Sequence, residues 1–287
     1  MPQWAAFVGL TGFLLTVLLG LSKLSHRSLS GDSAGVTART DGFDRVHRAG
    51  PADDTYPRFE TRRATGERRH VEDRLSTDDL STGALLANVA LTQGLFGVLL
   101  LGGAFLFEIP RSAFGVTAAA LSTGLPGVGI GLAAGVGFWV GNEFATAVAD
   151  GFGIGVDDAL RELLAPDSRA GWVVLLGVVL PIIALVEELL FRAAAIGVPV
   201  AGLDAPAWAM VVLASIAFAL GHGAQGWVGV VVTGALGVAL GALFVLTNSL
   251  LAVVVAHYLV NTLELCVHEG LGVERLGQLL MKHRVDG

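Results

Sequence analysis

Lysine is almost missing from this chain: of its 18 basic residues only Lys23 and Lys282 are lysine, and charged residues of every kind make up 15% of the 287 positions. Soluble domains of this length carry about a quarter charged residues. That scarcity excludes a soluble globular enzyme and a coiled coil. A single cysteine, Cys266, excludes an internal disulfide and with it a disulfide-stapled scaffold. No excess of positive charge exists either. The 25 acidic side chains leave a formal charge of −7, so a polyanionic partner such as nucleic acid is not expected.

What is present is apolar. Hydrophobic residues make up 53%, glycine occurs 39 times, and the mean hydropathy is +0.69. Uncharged stretches of about 20 residues recur, the length that crosses ~30 Å of hydrocarbon. The chain is therefore expected to be an all-α, polytopic integral membrane protein, surrounded by membrane lipid. Its acidic, Arg-over-Lys, Ala/Val/Gly-rich composition resembles that of proteins from salt-loving organisms.

Seven spans are expected, near 5–21, 84–107, 125–149, 171–197, 206–224, 226–247 and 249–266. The first is followed by Lys23, His26 and Arg27 and has no charge before it, which favours a retained span with its N-terminus outside. Arg275, Lys282 and Arg284 then place the tail 267–287 in the cytoplasm, and a plasma-membrane location is expected. The chain divides into an N-terminal span (1–22), a polar segment (23–82), spans 83–170, a polar-studded helical core 171–266, and the tail. The polar segment holds 11 basic and 11 acidic residues and buries too little apolar surface to offset ordering, so a largely disordered solvated loop is expected. Residues 112–124 are apolar but short and read as a re-entrant or surface helix. Gly127, Gly131 and Gly135, like Gly237 and Gly241, recur at four-residue spacing, which lets helices approach closely in lipid.

Chemistry is carried by polar groups inside apolar runs, where a charge costs on the order of 2.5–3.5 kcal/mol even on lenient insertion scales. Three sets qualify. Glu187-Glu188-Leu-Leu-Phe-Arg192 puts Glu188 and Arg192 at i and i+4, the favoured orientation for an ion pair. Glu187 lies about 100° round the helix with no local cation, so it is left over as a candidate general base. Phe218-Ala-Leu-Gly-His222 ends the next apolar run. His257-Tyr-Leu-Val-Asn261 places an imidazole and an amide one turn apart on a third. A structural ion pair would explain Arg192 and one glutamate but not the second.

These motifs, in this order, resemble the CPBP intramembrane proteases, which include the type II prenyl-CaaX endopeptidases and the bacteriocin-immunity (Abi) proteins. That family's pattern is E-E-x-x-x-R, then F-x-x-x-H, then H-x-x-x-N. The resemblance covers 170–266. It implies intramembrane hydrolysis of a peptide bond in a membrane-associated peptide or lipidated protein. Under it Glu187 and His222 activate water, His257 and Asn261 hold the oxyanion, and Glu188 with Arg192 fix their helix. Metal dependence stays open, between metal-free water and a zinc or other divalent ion on Glu187, His222 and His257. The zincin helix H-E-x-x-H and the G-x-S-x-G elbow are both absent. Two other readings use the same residues: a transporter or ion relay, and a non-catalytic scaffold or immunity protein. A transporter would more often show two similar halves, and none are visible.

The spacing also sets a geometric condition. Spans beginning at 171 and 206 would place Glu187 and His222 each about 24 Å along antiparallel helices, near opposite faces. The two meet only if the first helix is centred nearer 187, if the second runs past Gly226, or if helices tilt or bend.

Overall fold

A computed structural model of the chain describes residues 1–23, 82–152 and 159–273, and among these no strand occurs. The apolar helices are α1 (Trp4–Lys23), α2 (Thr82–Leu106), α3 (Leu125–Gly151), α4 (Arg169–Leu203), α5 (Ala207–Gly221), α6 (Gly226–Thr247) and α7 (Leu250–Gly270). Each falls on an expected span. Nearly all of the polar segment 23–82, and the tail beyond 273, lie outside the described residues.

Six of these helices are long and apolar enough to cross a membrane, and α5 is shorter. Its 15 residues rise only about 22 Å, short of ~30 Å of hydrocarbon. The seventh crossing expected over 206–224 is thus cut back. His222 closes α5, and a 3₁₀ turn, Gly223–Gln225, leads to Gly226, whose φ of 74° only glycine adopts freely.

Helix α4 is the longest at 35 residues, with 18 before Glu187 and 16 after it. It is not uniformly α-helical. Wider π-helical turns occupy Leu175–Val179 and Leu189–Gly197. Proline explains both, because its ring clashes with the carbonyl four residues back and it cannot donate to that group. For Pro181 that carbonyl belongs to Gly177, and for Pro199 to Ala195. Each lies inside a π stretch, where the ladder is already opened.

The glycine stripe packs α3 on α7. A Cβ on Gly131 would stand 2.6 Å from the Ala252 carbonyl oxygen and 2.8 Å from Val255 Cβ, and one on Gly135 would stand 2.9 Å from the Ala256 carbonyl. Backbone cannot yield there, so Gly131→Val should lower stability by about 2 kcal/mol, as overpacking does. Thermal unfolding in detergent would show it, and an unshifted midpoint would contradict the packing. Gly237 and Gly241 face α5 less tightly, a Cβ on them standing 3.2 Å from Ser215 and 2.9 Å from Val211 respectively.

Residues 112–124 do not form one continuous helix. They make two short turns, Arg111–Phe114 and Ala120–Thr123, separated where Gly115 takes a φ of 70°. Hydrogen bonds pin them under the start of α7: Leu250 N to the Gly115 carbonyl at 3.2 Å, and Ser249 Oγ to the Ser122 carbonyl at 3.1 Å. Helix α1 closes the other side. Ser22 Oγ donates to the Gly221 carbonyl at 2.8 Å, at the end of α5. The Met1 ammonium pairs with Glu108 Oε2 at 2.8 Å beyond the end of α2, and holds that exposed carboxyl below its usual pKa.

Candidate active site

The buried foundation of the site is Glu188. Its side chain is 0% exposed, and Oε1 accepts from Arg192 Nη1 at 2.8 Å and from His257 Nδ1 at 2.6 Å. One carboxylate oxygen therefore ties α4 to itself and to α7. The Arg192 guanidinium also donates from Nη2 to the Gly237 carbonyl on α6 at 3.3 Å, and its carbon lies 4.5 Å from the centre of the Phe218 ring on α5. The missing side chain at Gly237 is what lets α6 approach that ring. Four helices converge on one ion pair. A buried pair recovers its desolvation cost only with added hydrogen bonds of this kind.

Above this foundation lies a cavity of about 390 Å³. Glu187, His222, His257 and Asn261 all line it, with Phe218 between the two imidazoles. The Phe218 ring centre is 4.6 Å from that of His222 and 6.0 Å from that of His257. Glu187 at mid-helix and His222 at the end of the short α5 thus line the same cavity. His257 Nε2 lies 3.8 Å from Glu187 Oε2. His222 Nδ1 is 2.8 Å from the Phe218 carbonyl, an acceptor only, so Nδ1 carries the hydrogen. In His257 the Glu188 carboxylate plays the same part. The neutral His222 ring then turns an Nε2 lone pair to other partners. Anchoring of the far nitrogen in this way is common where histidines ligate metals or shuttle protons.

In type, Glu187, His222 and His257 are a zinc-binding donor set. In spacing they are not gathered as one. Among the described residues the trio whose ligand atoms all fall within 4.8 Å of one another is a different one: Glu143, Glu264 and His268.

Several lining residues escaped the sequence reading. Gln93 on α2 donates from Nε2 to Glu187 Oε1 at 3.4 Å. It stands mid-span in a helix without a single charged residue, and that isolation was its only sequence signal. With Leu85 and Val89 it forms one face of α2, two apolar turns followed by an amide. Thr233 and Gln225, hydrogen-bonded at 3.1 Å, also face the cavity, as do Asn142, Arg161 and Glu264.

Comparison with known proteins gives one positive result. Residues 169–263 match the family model described as type II CAAX prenyl endopeptidase, Rce1-like. No curated protein and no solved structure matches the chain. The matched stretch begins with α4 and ends within α7, so it contains the ion pair, both imidazoles and Asn261. Helices α1 to α3, including Gln93, stand outside it. Over the helices from α4 to α7, this integral membrane chain is therefore similar to the Rce1-like type II CAAX prenyl endopeptidases.

Proposed function

We propose that the cavity hydrolyses a peptide bond of a membrane-associated, lipid-modified substrate. The observation that carries this reading is the meeting of Glu187, His222, His257 and Asn261 on one cavity, each from a span whose lipid-facing composition gives no other reason for a polar group. Glu187 is the base that removes a proton from water as its oxygen attacks the scissile carbonyl, and it later returns that proton to the leaving amine. His222, with Nδ1 committed to Phe218, accepts the water's other hydrogen on Nε2 and so aims the oxygen. The tetrahedral oxyanion takes hydrogen bonds from the Asn261 amide and from His257 as imidazolium, whose charge Glu188 balances from behind. Arg192 holds Glu188 in place.

Turnover of quenched-fluorescent peptides by detergent-purified protein tests the reading. The expected result is cleavage of isoprenoid-bearing peptides in preference to unmodified ones, and chelator sensitivity would assign the metal. No cleavage of any peptide would favour the transport or scaffold readings.

Gln93 holds one oxygen of Glu187, so Gln93→Leu should reduce kcat about tenfold with KM unchanged, the signature of lost positioning. A rise in KM alone would instead make Gln93 a substrate contact. The proposed orientation, N-terminus outside and C-terminus cytoplasmic in the plasma membrane, rests on the basic residues behind α1 and in the tail. Accessibility of a single cysteine introduced at position 2 to an impermeant thiol reagent decides it.

A further inference from the structure

We propose that Glu143, Glu264 and His268 form a second site, distinct from the hydrolytic cavity, that binds one zinc-sized divalent cation at the cavity's rim. Glu143 comes from the last turns of α3, and Glu264 and His268 lie one turn apart near the end of α7. None of them belongs to the motif set that builds the catalytic centre.

The imidazole decides the matter. The His268 side chain is 3% exposed, and its Nδ1 lies 2.8 Å from the Val273 carbonyl. A carbonyl only accepts, so Nδ1 carries the ring hydrogen. In the neutral ring Nε2 is then a bare lone pair directed at Glu143 Oε1, 2.9 Å away, and towards Glu264 Oε2, 3.9 Å away. The two carboxylates, 15% and 17% exposed, face the buried imidazole nitrogen, and the repulsion among the three electron-rich atoms is relieved when a cation lies among them. Either a proton on Nε2 or a metal ion fills that role.

The surroundings favour the metal. Arg161 Nη1 holds Glu264 Oε1 at 2.9 Å, which turns Oε2 towards His268, and Arg161 Nε holds Glu269 at 2.6 Å. The backbone carbonyl on the histidine and the guanidinium on the carboxylate are orienting partners of the kind that precede metal binding. Ligands about 2.1 Å from a tetrahedral ion stand about 3.4 Å apart. The observed 2.9 and 3.9 Å from His268 bracket that value, and all three ligand atoms lie within 4.8 Å of one another. Two carboxylates and an imidazole leave a fourth position for water, and Zn²⁺ suits these donors. Such an ion would link α3 to α7 beside Arg161 and Glu264, which line the cavity.

The test is metal content and Zn²⁺ titration of the detergent-purified full chain, with no activity needed. Expected is one Zn²⁺ per chain retained by wild type, and by Glu187→Ala. Glu143→Gln, which keeps shape, and His268→Ala should each weaken binding about 100-fold. Zn²⁺ should raise the melting temperature of wild type but not of Glu143→Gln, so a folding defect in His268→Ala leaves the result readable. Three outcomes overturn the site: no ion retained by wild type, which gives Nε2 to a proton; equal retention in Glu143→Gln; or loss confined to Glu187→Ala, which moves the ion to the hydrolytic cavity.

Discussion

Glu187→Ala should reduce kcat for peptide cleavage by about 10²–10⁴, the usual contribution of one positioned general base, with little change in stability. Both halves follow from where the side chain sits. Glu187 is 13% exposed into the cavity, and its contacts are the 3.4 Å bond from Gln93 and the 3.8 Å approach of His257. Removing it gives up only that long approach to His257 and leaves the Glu188–Arg192–His257 foundation intact. Steady-state cleavage kinetics and a melting curve on the same preparation separate the two effects. Turnover within threefold of wild type would remove Glu187 from the mechanism.

Arg192→Leu should behave in the opposite way and cost about 3–5 kcal/mol of stability, because it strands a carboxylate in the driest part of the bundle. Glu188 is 0% exposed and Arg192 is 1% exposed. Three partners are lost together: Glu188 Oε1, the Gly237 carbonyl and the face of Phe218. Loss of activity follows from loss of the fold. Glu188→Gln in the same background should recover part of the stability, since it discharges the stranded group. Thermal unfolding of the single and double variants checks this. An Arg192→Leu protein as stable as wild type would show that the pair is ornamental.

The contrast between these glutamates was partly visible in the sequence. The i, i+4 spacing gave Arg192 to Glu188 and left Glu187 over, and the span limits followed from apolar length alone. The rest depends on contacts between helices, which no local pattern encodes. Nothing near residue 257 announces that its imidazole will share an oxygen of Glu188 with Arg192. The run after 206 does end in Gly221-His-Gly-Ala-Gln-Gly226, so a break near His222 was legible, but not that α5 would be left too short to cross the hydrocarbon. The π turns of α4 were foreshadowed by Pro181 and Pro199, yet the widened ladder at Glu188–Arg192 appears only in coordinates. The segment 112–124 was misjudged because its burial comes from Ser249 and Leu250, more than 120 residues downstream of its start.

The hydrogen bond from Ser22 to Gly221 spans 199 residues, and this orders events in time. During synthesis α1 enters the membrane long before α5 exists, and packs first against the end of α2, where Gln3 N donates to the Phe107 carbonyl at 2.9 Å. His257 and Asn261 arrive later still, on α7. The cavity therefore stays open on one side until α7, the last of the described helices, has been made and brings His257 and Asn261 to it.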